Sequence, residues 1–341
     1  MKIKFKEQSL PFHYPFTISG GRTKTHQRAL IVSIEINGIT GYGEAPEISY
    51  YNIPVAKMIS DLQERILEIE QFQFTEPPAF WGYLNRIFPD NSFLVCALDM
   101  ACWDLYGKMQ GKLLFELWGS EWENIPLTDY TIGLDSIVIM QAKLRKHKWP
   151  VYKIKLGTDH DIEIIKALRD CTDAPFRIDA NAAWTIKEAL IKITELKNLG
   201  VELIEQPLHK DNFGDMAELI RAAALPLFAD ESCVIESDVE KCAGYFHGIN
   251  IKLTKCGGIT PALRMIAKAR ELNLLVMMGN MNESSIGTAA LANFLPLIDA
   301  ADMDGPLLLI DDIAEGLEYN YGKLTITGKA GLGIEVRQLF E

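Results

Sequence analysis

The sequence predicts an α/β chain, a closed parallel barrel preceded by a separate α+β unit. Three observations carry this expectation. Apolar strand-like runs recur every 22 to 26 residues from about residue 127 onward, the length of one strand plus one crossover helix. Helix-start chemistry falls in the gaps between those runs. Roughly the first 115 residues follow a different order, with strands first and helices after.

In the leading unit, residues 2–6 and 28–36 alternate apolar and polar side chains as half-buried strands do, most clearly in QRALIVSIEI. The polar, Gly-rich TISGGRTKTHQ between them reads as a mobile loop. Residues 55–70, 77–88 and 92–110 read as helices, and the last, SFLVCALDMACWDLYGKMQ, stops at Gly111. In the repeating part, the strand candidates are Leu127–Ile132, Tyr152–Leu156, Phe176–Asp179, Glu202–Glu205, Leu227–Asp230, Ile249–Leu253, Leu274–Met278 and Ile298–Met303. Thr185 with Glu188 predicts a capping box, and Ser237 with Glu240 a second. Thr260 before Pro261 predicts an N-cap with proline at the first helical position. Eight such strands imply a closed barrel more than an open doubly wound sheet, and no G-x-G-x-x-G follows the first of them. After the eighth strand no full helix is evident. The tail NYGKLTITGKAGLGIEV reads as turns and strand that return to the N-terminal unit.

Composition narrows the function. A chain of 341 residues can bury a large core in two domains. Its 48% apolar and 23% charged residues are the balance of a soluble globular protein. A net charge of −12 and a pI near 5.1 argue against nucleic acid or an anionic membrane surface as partner. No apolar run approaches the ~20 residues of a membrane helix, and MKIKFKEQSL lacks the apolar core of a signal peptide. The six cysteines form no C-x-x-C pair. They read as reduced, mostly buried thiols of a cytoplasmic protein, and a cysteine zinc site is not expected.

The chemistry lies in three carboxylate segments. PFRIDAN, VELIEQP and PLFADES place Asp179, Glu205 and Asp230 at separations of 26 and 25 residues, each closing an apolar strand. Catalytic groups project from the C-terminal ends of barrel strands. Three acids on neighbouring strands thus form an oxygen-only site for a hard divalent cation, Mg²⁺ first. Any one of them could instead cap the following helix; three in register weaken that alternative. Lys155 closes strand two and Lys252 strand six, on opposite sides of an eight-strand ring. Lys153 shares the face of Lys155, and a second ammonium there is expected to lower the pKa of the first. The usual fate of lysine is the surface, which fits poorly with inward strand positions. The Cα–H of an amino-acid carboxylate is ~15 or more pKa units less acidic than lysinium, so proton transfer costs at least ~20 kcal/mol. A turnover of ~10 s⁻¹ allows only ~16 kcal/mol. A cation on the substrate carboxylate can supply the difference. One base on each face then permits 1,1-proton transfer, hence epimerisation.

These segments resemble the enolase superfamily, and within it the muconate-lactonising subgroup, over nearly the whole chain. Lysine or histidine bases working with Mg²⁺ are general to that superfamily. The K-x-K of Lys153 and Lys155, Lys252 in NIKLTKCGG, and IDAN, IEQP and ADES match its motifs. Asn181 stands where the family carries a polar partner to the metal site. The resemblance implies an α+β capping domain over residues 1–115, completed by 318–341, and a modified (β/α)7β TIM-type barrel over 116–317. TDYTIG, with Thr131, is similar to strand one of dipeptide epimerases. The D-x-D of Asp302 and Asp304 resembles the pair that holds a dipeptide's ammonium. Arg22 resembles the arginine by which Ala-Glu epimerases hold the glutamate side chain; a lone arginine on a Gly-rich loop is otherwise solvated. Glu283 in GNMNESSIG either orients the site or is the N-terminal acid of the next helix. IDANAAW in place of IDANQGW, and Gly133 in place of a frequent serine, depart from the pattern.

The resemblance therefore implies a Mg²⁺-dependent dipeptide epimerase interconverting L-Ala-D-Glu and L-Ala-L-Glu from peptidoglycan turnover. Epimerases of hydrophobic or cationic dipeptides, a same-subgroup lyase or an N-acylamino-acid racemase are the alternatives on this fold. The dehydratase branch wants a strand-seven histidine, which LLVMMGN lacks. A non-catalytic metal-dependent binding barrel is the alternative of another class, and the intact lysines argue against it. Such barrels often form homo-oligomers, and nothing in the sequence fixes a subunit number.

Overall fold

The computed structural model describes residues 1–18 and 22–340, without the side chains of Ile18 and Arg22. Strands β1 (Lys2–Ile18), β2 (Arg22–Ile36) and β3 (Ile39–Pro46) form one antiparallel sheet in that order. Its first two strands are longer than their alternation suggests. Pairing runs from Lys2↔Glu35 to Ile18↔Arg22, with a register break between Pro11 and Phe16. The described residues of TISGGRTKTHQ are thus strand, where a loop was expected. Thr17 and residues 23–27 are polar throughout, and only Gln27 among them is buried, so the apolar alternation is missing there. Cross-strand pairs replace it, such as the hydroxyls of Thr17 and Thr23 at 2.9 Å.

Strand β3, ITGYGEAP, escaped the sequence reading because Gly41 and Gly43 break its pattern. Both glycines are steric requirements. A Cβ on Gly41 would meet the Ala101 carbonyl oxygen at 2.1 Å, and one on Gly43 the Ala97 oxygen at 2.0 Å. The helix Ser92–Gln110 therefore lies directly on this strand. Asn91 caps it by accepting the Leu94 N–H, and Gly111 ends it at φ 65°. With the helices Val55–Glu70 and Pro77–Ile87 it completes a core built on Leu30, Val32, Met58, Phe80 and Leu98.

Eight parallel strands follow in chain order: β4 (Tyr130–Ile132), β5 (Tyr152–Lys155), β6 (Phe176–Asp179), β7 (Val201–Glu205), β8 (Leu227–Ala229), β9 (Gly248–Ile251), β10 (Leu275–Gly279) and β11 (Ala300–Asp302). A parallel bridge between Thr128 and Ala301 closes the ring. The eight match the expected strands to within three residues at each end, and Phe176–Asp179 matches at both. The capping box of Thr185 and Glu188 forms as expected. Ser237 makes no side-chain cap; the Asp238 carboxylate takes the N–H groups of Val234 and Ile235 in its place. Thr260 is the second residue of the helix Ile259–Glu271, not its cap. Its N–H and hydroxyl both donate to Asp99, at 2.9 and 2.8 Å, so an acid from the capping unit serves this helix.

Among the described residues after β11, only a single turn, Gly305–Leu308, is helical. The remainder pairs as β12 (Ala314–Glu315) with β15 (Glu335–Val336), and β13 (Leu317–Asn320) with β14 (Lys323–Ile326). The tail then touches the leading unit, where the Leu332 N–H donates to Asp104 at 2.8 Å and Leu113 bridges Gly331. The six cysteines are free thiols, five of them buried. No helix among the described residues is long and apolar enough to cross a membrane.

A second acid joins the two units. Glu44 of β3 is fully buried and accepts the Ser284 N–H and Gly287 N–H, each at 3.0 Å, and the Ser284 hydroxyl. It thereby caps the helix Ser285–Ala292 from outside. Burial pushes its carboxyl up to about 7 against those three bonds, and the charge of Asp312 adds to the rise. A carboxyl raised from 4.5 to about 7 holds its proton more tightly when folded. Its stabilising contribution is complete below 4.5 and is lost as pH rises through about 7. Glu44→Gln, which cannot ionise, should gain stability relative to the unaltered chain between about pH 5 and pH 8. Urea unfolding across that range measures the difference, and parallel pH curves would contradict the assignment.

Candidate active site

The acids and lysines singled out in the sequence converge at the C-terminal ends of the barrel strands. Lys155, Asp179 and Glu205 are Cα partners across β5, β6 and β7. Asp230 directly follows β8, and Lys252 directly follows β9. Oxygens of Asp179, Glu205 and Asp230 lie within 4.8 Å of one another, and all three residues are buried.

Each lysine is paired with one of these acids. Lys155 Nζ donates to Asp179 Oδ2 at 2.6 Å, and Lys252 Nζ to Asp230 Oδ2 at 2.6 Å. Lys153 lies deeper, 2.7 Å from both Asp302 Oδ2 and Glu205 Oε2. Its ammonium is therefore matched by acids on β7 and β11, not left standing alone beside Lys155. Burial works against its charge, but Asp302, Glu205 and Asp179 outweigh burial and hold its pKa well above the usual lysine value. The same balance raises Lys252, where Asp230 and Glu205 overcome burial. Among the acids, burial is opposed by Lys155 and Lys153 at Asp179, which falls to about 2. Burial and the charge of Asp179 leave Glu205 at about 7.

Several contributors carry no local signal in the sequence. Lys255, one helical turn past Lys252, is buried and donates to Asp230 Oδ1 and to the Asp230 and Cys233 carbonyls, at 2.6, 2.6 and 2.9 Å. Asn250 Nδ2 holds Glu205 Oε1 at 2.8 Å. Gln206 Oε1 accepts the N–H groups of Asp230 and Ser232. Gly279 ends β10 because a Cβ there would meet Asn250 Nδ2 at 2.8 Å and Lys252 Cε at 3.2 Å.

A cavity of about 350 Å³ opens over the acids and is walled by both units. The leading unit supplies Phe16, Lys24 and the segment Ile48–Tyr51. The barrel supplies Thr131, Lys155, Asn181, Ala182, His209, Asp230, Glu231, Lys252, Asn280, Met281, Asn282 and Asp302. Asp304 and Lys153 stand behind this wall: Asp304 accepts the Thr131 N–H at 2.6 Å, and Asn280 Nδ2 at 3.0 Å. Burial and Asp302 push Asp304 up to about 6, whereas at Asp302 itself Lys153 overcomes burial and lowers the pKa. Glu283 is buried and accepts the Met281 N–H, so it braces the loop that carries Asn280. Burial and Glu44 raise Glu283 to about 8. Arg22 stands at the start of β2, paired with Ile18; its side chain lies outside the described part of the structure. Lys24, two residues on, lines the cavity and donates to Gln27 Oε1 and the Glu47 carbonyl. Gly133 has a steric reason, since a Cβ there would sit 3.1 Å from the Thr17 oxygen.

The donor set suits a hard cation. It is oxygen only, and Glu205 Oε2 is buried without a hydrogen bond although Lys153 Nζ lies 2.7 Å away. Asn181 Oδ1 and Glu231 Oε2, both in cavity-lining residues, are likewise unpartnered. Asp179, Glu205 and Asp230 are therefore the residues that would hold Mg²⁺.

Comparison with known proteins agrees with this geometry. Residues 1–119 match the mandelate racemase / muconate lactonizing enzyme N-terminal domain, and residues 138–339 the enolase C-terminal domain-like family. An L-Ala-D/L-amino acid epimerase of Maribacter sp. is 47% identical over 99% of this chain and 100% of its own length. An L-Ala-D/L-Glu epimerase of Bacteroides thetaiotaomicron is 37% identical, over 98% of this chain and 88% of its own. Among solved structures, a substrate-liganded L-Ala-D/L-Glu epimerase from Bacillus subtilis superposes with a TM-score of 0.92. It is 30% identical and covers 99% of this chain and all of the other. A dipeptide epimerase from Cytophaga hutchinsonii, complexed with Mg and D-Ala-L-Val, also gives 0.92 at 27% identity, covering 100% of this chain and 97% of the other. The chain thus belongs to the enolase superfamily, in the family of mandelate racemase and muconate lactonising enzyme.

Proposed function

We propose that this protein is a Mg²⁺-dependent dipeptide epimerase that inverts the α-carbon of the C-terminal residue, with L-Ala-D-Glu and L-Ala-L-Glu as its substrate pair. The observation that carries this reading is the placement of Lys155 and Lys252. Lys155 closes β5 and Lys252 directly follows β9, four strands away in an eight-strand ring, and both border one cavity with the acid trio between them. An α-carbon in that cavity has an amine on each face. One lysine removes the proton as a free amine, and the other returns a proton as an ammonium. Mg²⁺ bound by Asp179, Glu205 and Asp230 supplies fixed positive charge that makes the Cα–H acidic enough for an amine.

Asp302 on the cavity wall receives the dipeptide ammonium, with Asp304, Lys153 and Thr131 behind or beside it. Asn181 and Glu283 support the metal-side and β10-side loops. Arg22 is assigned to the distal carboxylate. We place the protein in the cytoplasm and its substrate in peptidoglycan turnover. Relatives at 47% and 46% identity carry the name L-Ala-D/L-amino acid epimerase, which favours a wider range of second residues than glutamate alone.

Three outcomes test the proposal. Lys155→Ala and Lys252→Ala should each lower epimerisation by at least ~10³-fold, in line with loss of a general base. Each variant should still exchange the α-proton of one isomer in D₂O, and the two should favour opposite isomers. Full activity in both would overturn the mechanism. Removing divalent cations with EDTA should abolish turnover and Mg²⁺ should restore it; turnover that survives exhaustive chelation would contradict the metal assignment. A dipeptide library incubated in D₂O and read by mass spectrometry should show deuterium uptake in Ala-Glu. Uptake confined to non-acidic dipeptides would remove glutamate as the second residue.

A further inference from the structure

Asn280 has no part in the proton transfer described above, yet it touches both acids at the eighth strand. Its Nδ2 donates to Asp302 Oδ1 at 3.1 Å, to Asp304 Oδ1 at 3.0 Å and to the Asp302 carbonyl at 2.8 Å. Its own Oδ1 accepts the Asn282 N–H at 2.7 Å, which fixes which end of the amide faces the acids. Its backbone N–H also donates to the Asp302 carbonyl, at 2.8 Å. The far oxygens of the two acids are committed elsewhere: Asp302 Oδ2 to Lys153 Nζ at 2.7 Å, and Asp304 Oδ2 to the Thr131 N–H at 2.6 Å. Both remaining oxygens therefore converge on one neutral nitrogen at the cavity wall.

Two carboxylates on one strand face repel each other, and burial makes the repulsion worse. A neutral amide donor shared between them lowers that cost without neutralising either acid. We propose that Asn280 is a positioning residue: it holds Asp302 and Asp304 together before substrate arrives, so that a primary ammonium reaching Asp302 at the cavity wall meets an acid already backed by Asp304. The inference rests on the dipeptide reading and deepens it, because it assigns selection for a free N-terminal amine to a residue of β10's loop rather than to the acids alone. A preformed pair spares the ammonium the cost of drawing two like charges together, so the effect belongs in ground-state affinity.

The test compares L-Ala-L-Glu with N-acetyl-L-Ala-L-Glu, which has no ammonium, using the full chain with Mg²⁺. Asn280→Ala should weaken the affinity for L-Ala-L-Glu about tenfold or more, with KM rising and kcat changing by only a few-fold. Its affinity for the acetylated dipeptide, measured by competition, should stay within about twofold of the unaltered chain. If both ligands weaken equally, or kcat falls while KM holds, Asn280 merely supports the loop and the inference fails. If the unaltered chain does not epimerise L-Ala-L-Glu or any other dipeptide, the functional reading fails first, and the two failures are told apart by that control.

Discussion

The barrel mouth is governed by one constraint: no buried charge there can be left without a partner. Lys155 answers Asp179, Lys252 and Lys255 share Asp230, and Lys153 sits among Glu205, Asp302 and Asp179. Below them Arg177 pairs with Asp129 at 3.0 Å and with the Ala301 carbonyl at 2.8 Å. Removing the sole partner of a buried ion strands it in low dielectric, a loss of ~3–5 kcal/mol, and the shared pairs spread that cost. The cluster is therefore as much a folding element as a chemical one. It also explains why three carboxylates can crowd within 4.8 Å before any cation arrives. The lysines hold the acids apart in energy, each acid matched to its own amine, with Glu205 the least satisfied.

That arrangement demands unusual backbone around it. Asn181, Ala182 and Gln206 adopt left-handed φ values of 44°, 61° and 37°, conformations that cost ~1–3 kcal/mol each for such residues. The surroundings over-determine them. Asp179 uses Oδ1 to accept the Asn181 N–H at 2.9 Å while Oδ2 faces Lys155. The Ala182 N–H donates to the Gln206 carbonyl and the Trp184 N–H to the Pro207 carbonyl, so the loops after β6 and β7 lock one another. One carboxylate thus shapes a turn and faces the reaction space. A substitution at Asp179 would act on both at once.

Much of this was readable in advance, and the failures have a common cause. Parallel strands buried on both faces read as apolar runs, so Phe176–Asp179 was found to the residue and its acid with it. Asp230 and Lys252 lie just past the ends of β8 and β9, where the expected strands ran on; the chain leaves the ladder at the functional residue. Residues whose partners are distant in sequence stayed hidden. The expected N-cap at Thr260 dissolved because Asp99, 161 positions earlier, takes its N–H and hydroxyl. The K-x-K spacing likewise does not show that Lys153 pairs with Asp302, 149 positions later. Gly41 and Gly43 interrupt the apolar pattern of β3, and they are glycine because a helix backbone lies against them. Local spacing reveals which elements form, and it is silent on which side chains those elements bring together.

The two structural units contribute different things to the cavity, and the way they are joined keeps those contributions separate. The paired acids and amines of the mouth belong to the barrel, on its short strands or within a turn of their ends. The leading unit supplies aromatic and apolar surface, Phe16, Ile48, Tyr50 and Tyr51, together with Lys24. Three buried acids tie that unit down: Glu44 to the Ser284 helix start, Asp99 to Thr260, and Asp104 to Leu332 in the returning tail. These anchors lie on β3 and the helix Ser92–Gln110, not on the β1–β2 hairpin that brings Phe16 and Lys24 to the cavity. Side chains on the hairpin can therefore change without stranding a buried charge, whereas a change at the anchors or the barrel ends cannot avoid it. The cavity wall thus has one part where substitution costs little and another, the ring of buried ion pairs, where it costs most.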